Sequence, residues 1–293
     1  MLTEWAHQPA LAPKLEALQA VLRLPDGEIG NAYRKIFDSC SFPANQPFRF
    51  IVPAFFHLLQ TLAARGRRFG IVIRTFGADI DKGLALELDA FARGEHPLHP
   101  DAGAFDGSNG RPDLRVSLSD PDSHGSFYRN AAGTHLVLGT LTRPPPGDGI
   151  SQVGLSHFEG SGLKIVTGHG AIGEHLAASK VRGMMCFRDY YPWWGLANGK
   201  AGQAGKVLYV DETDLSTHAV FFDDHAGRPE EKDGYIVDVR DAAGAPRLYD
   251  ASVAGVHVVR SEPLDCLSDV EYFVKVVDAA EATRANSARN NGS

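Results

Sequence analysis

Val220-Phe-Phe-Asp-Asp224 sets two carboxylates side by side where an apolar run stops. Ligands of open α/β sheets bind at the carboxyl ends of strands, so an acid pair at that point is placed for chemistry. Adjacent carboxylates repel, and a cation offsets the repulsion. The hard oxygens of Asp223 and Asp224 favour Mg²⁺. The competing reading is a solvated turn, where aspartate is at home because its side chain hydrogen-bonds the backbone two residues on. A second run, Ile71-Val-Ile-Arg-Thr75, also turns polar at its end. A threonine hydroxyl followed by backbone N–H groups suits a phosphoryl oxygen. The alternative for Thr75 is a helix cap or turn. Lys206, directly after Gly205, would set a positive charge over an anionic substrate and the carboxylates. A plain surface lysine is the alternative there, and Lys200 competes for the role within the same loop.

Other groups carry weaker patterns. His96, His99 and Asp101 are candidates for a metal cluster, as are His169 and His175, but a Gly/Pro-rich segment with scattered histidines also reads as plain loop. Trp193-Trp194 with Tyr190-Tyr191 suits either a substrate pocket or a hydrophobic plug. Residues 195–206 are glycine-rich, yet neither lysine has a glycine at the earlier position a phosphate loop requires, and neither is followed by Ser or Thr. No Gly-x-Ser-x-Gly occurs, and no cysteine has a recognisable catalytic context.

These residues need elements to hold them. Residues 14–23 show a short helical pattern in Leu15, Leu18 and Leu22, and 41–49 read as loop. Pro53 opens a helix whose broad apolar face is Phe55, Phe56, Leu58, Leu59 and Leu62, closed by Arg65-Gly66. Ile71, Val72 and Ile73 form a β-branched run of the kind buried on both faces of a parallel sheet. Residues 79–93 carry Ile80, Leu84, Leu88 and Phe91 on one helical face, which completes a helix–strand–helix unit. Residues 94–125 are an irregular excursion. Residues 126–141 read as a hairpin turning at 130–133, and 143–147 as a stiff linker. Strand, helix and strand follow at 163–166, about 170–180 and 184–187. A loop is expected over 190–205, strands at 207–210, 219–222, 236–239 and 256–259, a helix at 267–280, and a frayed polar tail from 284 to 293.

The whole chain has 293 residues, with 43% hydrophobic and 22% charged, as a folded protein requires. Its 29 basic and 36 acidic side chains give a net charge of −7, which argues against non-specific nucleic-acid binding. Three scattered cysteines suit a reducing compartment and supply no disulfide or zinc framework. No apolar run nears the roughly 18 residues of a membrane span, and the N-terminus lacks the basic flank and apolar core of a signal peptide. A cytoplasmic protein without membrane partners is therefore expected, its oligomeric state unread.

The order apolar strand–Thr75, long excursion, Lys206 (or Lys200), apolar strand–Asp223-Asp224 resembles the haloacid dehalogenase (HAD)-like superfamily. Ile73-Arg-Thr-Phe-Gly77, Arg188-Asp-Tyr-Tyr-Pro-Trp-Trp194 and Phe221-Phe-Asp-Asp224 add to the resemblance, which covers roughly residues 48–260. It implies an α/β, three-layer Rossmann-like parallel sheet made of 1–94 and 151–285. A small cap containing the hairpin would be inserted at 95–150, and 286–293 would be a disordered tail. It also implies a Mg²⁺-dependent phosphatase-like hydrolase acting on a small phosphorylated molecule. Asp223 and Asp224 would hold the metal, Thr75 a phosphoryl oxygen, and Lys206 would offset developing charge. In that family a carboxylate attacks phosphorus and water then releases the phosphate. The nucleophile's Asp-x-(Asp/Asn) motif should follow an early strand, and neither Asp26 nor Asp38 has that setting. The missing strand would be the central one, and its loss would leave unpaired edges on both neighbours. Two readings stay open: a chain whose motif lies upstream of Met1, and a non-catalytic protein that binds a phosphorylated ligand or a protein partner.

Overall fold

A computed structural model describes residue 31 and residues 51–291, apart from 101, 131, 143–154, 159, 179–182, 198, 229 and 232. The expected helix at 14–23, the loop at 41–49, Asp26, Asp38, Asp101 and the linker at 143–147 lie outside the described residues.

In chain order the elements are α1 (Pro53–Ala64), β1 (Ile71–Thr75), α2 (Ala85–Ala92), β2 (His124–Asn130), β3 (Gly133–Leu138), β4 (Ile165–Thr167) and α3 (His169–Ala177). They continue with β5 (Met184–Arg188), α4 (Tyr191–Leu196), α5 (Ala201–Ala204), β6 (Lys206–Val210), β7 (Phe221–Asp223), β8 (Val237–Asp241), β9 (Val258–Arg260), α6 (Pro263–Ser268) and α7 (Tyr272–Asn291). The architecture is mixed α/β. One sheet has five strands in the order β1-β5-β2-β3-β4, and two smaller sheets pair β6 with β8 and β7 with β9. Pairing is parallel for β1–β5, β5–β2, β6–β8 and β7–β9, and antiparallel within β2–β3–β4.

The alternation of side chains along a strand distributes β1 between two cores. Ile71 and Ile73 pack with Phe56 and Leu59 of α1 and Leu88 and Phe91 of α2. Val72 points the other way, toward Phe127, Phe187 and Ile172 of α3. Each fully buried Phe or Leu of these clusters stabilises the fold by about 1.5–3 kcal/mol. Pro53 occupies the first turn of α1, where its missing N–H costs nothing. Gly66, at φ 66°, ends that helix in the left-handed region that favours glycine.

Several expectations change. The hairpin expected in an inserted cap belongs to the main sheet, because Gly125 and Ser126 of β2 are in parallel register with Phe187 and Arg188 of β5. Its inward side chains, Phe127, Leu136 and Leu138, supply core that a detached cap would leave uncovered. The helical stretch at 79–93 divides into a wider π-helical turn, Ile80–Leu84, and α2, with the break at Gly83. The loop at 190–205 contains two short helices, α4 and α5. Of the tail expected from 284 to 293, residues 284–291 are the end of α7, and 292 and 293 lie outside the described residues. Arg284 ties α7 down by donating to the carbonyls of Thr217 and Asp214, contacts that no local pattern discloses. Among the described residues no helix is long and apolar enough to cross a membrane.

Candidate functional site

Thr75, Lys206, Asp223 and Asp224 all line one cavity of about 730 Å³. Thr75 and Asp223 are the last residues of β1 and β7, strands that belong to separate sheets. Lys206 opens β6. The cavity thus collects the carboxyl ends of two strands and the beginning of a third.

Thr75 Oγ1 donates to Asp79 Oδ2 at 2.9 Å and accepts the Gly77 N–H at 2.8 Å. This is a tight turn in which a side chain on Gly77 would collide with the Asp79 carboxylate. The turn alternative for Thr75 is therefore realised, while the residue still lines the cavity. Lys206 Nζ donates to Asp223 Oδ2 at 2.8 Å, and the two side chains are only 9% and 8% exposed. Asp223 Oδ1 accepts the backbone N–H of His225 at 2.8 Å. Asp224 Oδ1 lies 2.9 Å from His225 Nδ1, with its side chain 52% exposed. Among the described residues, Asp223, Asp224 and His225 are the one group whose ligand atoms converge closely enough for a metal ion. Their carboxylate oxygens are the donors Mg²⁺ prefers, and Mg²⁺ is commonly held by one or two carboxylates with water completing the shell. The donor set fits.

The charges of the cavity are unequal. Asp79, Asp223 and Asp224 stand against Lys206. Arg74 also reaches the cavity, but its guanidinium is committed. It pairs bidentately with Asp189, one bond at 2.9 Å, donates to the Val207 carbonyl at 3.0 Å and lies 3.9 Å over the Phe127 ring. An anion would thus meet net negative charge unless a cation accompanied it.

Lys206 is positioned from behind. Its N–H donates to the Ile236 carbonyl at 2.7 Å, while Arg129 donates to the Gly205 and Gly202 carbonyls at 2.9 and 3.0 Å. Arg129 and Arg240 share Asp238, at 2.8 and 2.9 Å. Burial lowers the pKa of Arg129 and raises that of Asp238, each opposed by the attraction of its partners. The knot binds β2 to β8 at the point where the chain enters β6.

Other sequence candidates do not converge. Lys200 is exposed and absent from the cavity lining. His96 and His99 meet each other at 5.0 Å between ring centroids, but away from the cavity, packed tilted or edge-on against Phe56 and Phe91. His169 bonds the Tyr209 hydroxyl, and His175 bonds the Asp122 carbonyl, so the two serve different neighbours. Of the four aromatics at 190–194, Tyr191 and Trp194 line the cavity, whereas Trp193 donates to the Gln203 carbonyl and Tyr190 packs on Tyr128. Asp79, His225 and Phe76 are cavity residues that sequence reasoning passed over. The only prior signal for Asp79 was an acid one helical turn beyond Thr75. His225 had merely its place beside the acid pair.

No protein-family model, curated protein or solved structure matches the chain.

Proposed function

We propose that this chain carries a HAD-like, Mg²⁺-dependent phosphoryl-transfer site of the phosphatase kind. The observation that carries the reading is the meeting of Thr75, Lys206 and the Asp223–Asp224 pair, from distant parts of the chain, around one cavity. In this reading Asp223 and Asp224 hold Mg²⁺, which supplies charge neutralisation for a phosphoryl group. Lys206 contributes a second positive charge, already oriented by Asp223. The Thr75 hydroxyl exchanges its bond to Asp79 for one to a phosphoryl oxygen. The three-layer Rossmann-like arrangement belongs to the same proposal, with β1 and β7 as strands whose carboxyl ends serve one crevice.

A specific observation favours the binding-protein version of this site. Among the described residues, each cavity carboxylate already has a partner: Asp79 has Thr75, Asp223 has Lys206, and Asp224 has His225. Each bond stabilises its carboxylate as a resting anion and so weakens it as a nucleophile toward phosphorus. The experiment that tests both versions is phosphate binding and phosphate release measured side by side. Inorganic phosphate is expected to bind in the presence of Mg²⁺ and to bind more weakly without it or in Asp224→Asn. Turnover of an aryl phosphate that depends on the same acid identifies the hydrolase, and binding without turnover identifies the binding protein. Phosphate binding unaffected by Mg²⁺ and by Asp224→Asn overturns the reading.

A further inference from the structure

The charged half of the cavity accounts for one wall only. Phe76, Tyr191 and Trp194 form an aromatic wall, of which Phe76 and Trp194 also pack against the core around Val237 and Val239. Phe76 meets Tyr191 edge-on at 5.6 Å between ring centroids and Trp194 at 6.2 Å with the planes tilted by 33°. Tyr191 is 54% exposed, so it does not plug a core. A partly exposed aromatic side chain lining a cavity offers a stacking surface whose unfavourable contact with water is relieved once a ligand covers it. The volume of about 730 Å³ lies within the range of small-molecule sites and leaves room beyond an anionic group.

The two walls are close together. Lys206 Nζ is 2.8 Å from Asp223 Oδ2 and 5.1 Å from the centroid of Phe76. A ligand whose anionic group meets Lys206 therefore has its next atoms beside Phe76. From this adjacency we infer that the site takes a phosphate monoester of an aromatic alcohol, with the ring joined to the phosphate directly or through one carbon. The inference rests on the phosphate reading above and adds the class of alcohol. A nucleotide fits less well, because with its phosphate on Lys206 the first atoms beside Phe76 are those of the ribose and not of the base. An aliphatic ester of equal charge fills the charged half and leaves the aromatic wall wet.

The test is a set of calorimetric titrations on the full chain with Mg²⁺, using inorganic phosphate, glycerol phosphate, phenyl phosphate and adenosine monophosphate. Phenyl phosphate is expected to bind roughly five- to tenfold more tightly than glycerol phosphate, the scale of one aromatic contact. In Trp194→Leu and in Phe76→Leu, each first shown to melt cooperatively, that ratio is expected to fall toward one. Equal affinity for phenyl and glycerol phosphate in the unmodified chain overturns the aryl inference and leaves the phosphate site standing. Tighter binding of adenosine monophosphate than of phenyl phosphate overturns it as well. Absence of binding by all four, inorganic phosphate included, removes the phosphate reading and the inference with it. The comparison of ligands on the unmodified chain decides the matter even if both variants fail to fold.

Discussion

Asp223 and Asp224 adjoin in sequence but differ in burden. Asp223 is buried against Lys206, so its loss leaves an ammonium without its carboxylate in a nearly dry setting. Removing one partner of such a pair costs about 3–5 kcal/mol. Asp224 is half exposed and, among the described residues, its side chain bonds only His225 Nδ1, so its substitution does not threaten the fold. Asp224→Asn is therefore the clean probe of metal binding. Calorimetry is expected to show a weak Mg²⁺ site in the unmodified chain and a smaller or absent heat in Asp224→Asn, with unchanged thermal stability in the absence of metal. Identical heats in both would place Mg²⁺ elsewhere or nowhere. Asp223→Asn is expected to lose the heat and also to melt earlier, so it reports on fold and metal together.

The elements behind the cavity are joined by a few buried contacts. Asp238 on β8 is shared by Arg129 of β2 and Arg240 of its own strand, and all three are buried. Asp238→Asn removes the charge that both guanidiniums face, and a loss of about 3–5 kcal/mol is expected in urea denaturation. The isosteric amide keeps the packing, so a cost under 1 kcal/mol would show that the backbone carbonyls of Gly202, Gly205 and Gly244 suffice to hold both arginines. Helix α7 adds apolar packing to the Arg284 contacts and to its ion pairs with Arg65 and Arg67. Phe273 meets Phe55 of α1 and Phe222 of β7 edge-on, at 6.4 and 5.2 Å. Phe273→Ala is expected to cost about 3–5 kcal/mol, read as a lower urea midpoint with an unchanged slope. Because Phe222 is next to Asp223, the same variant is expected to weaken phosphate binding, a link that titration of the folded variant would check. Strands β1 and β7 each pair with a single neighbour among the described residues, so the cavity stands beside two strand edges.

At the scale of the whole molecule, one buried and two half-buried histidines set the acid limit of stability. His96, His169 and His218 are each held down to about 4 from an ordinary 6.5, first by burial and then by nearby positive charge, for His96 against the pull of the buried Glu87 carboxylate 3.5 Å away. His99 presses on His96, Arg240 and Arg129 on His169, and His257 on His218. Unfolding returns all three to the ordinary value, so the unfolded chain binds more protons at any pH between the two. Stability is therefore complete above about 6.5 and is lost as the pH falls toward 4. Thermal melting is expected to drop on the order of 5 °C or more between pH 7 and pH 5, and a flat profile would contradict the neutral burial of these groups. Much of this molecule was legible in order of sequence. The β-branched run at 71–73, the apolar face of α1, the polar stops at Thr75 and Asp223, and the adjacency of two acids are local patterns, and local patterns follow from side-chain periodicity alone. What the tertiary structure decided is everything that depends on pairing across the chain. It took the register of β2 on β5 to put the hairpin in the main sheet, and the contacts of Arg284 with the Thr217 and Asp214 carbonyls to anchor α7, the helix that runs into the stretch composition marked as a loose tail. It selected Lys206 over Lys200, because only the residue opening β6 is carried to Asp223, and it brought Asp79, His225 and Phe76 into the cavity from turns with no periodicity to announce them. The physical reason is that a contact's energy depends on distance in space, and sequence spacing determines that distance only within one helix or strand.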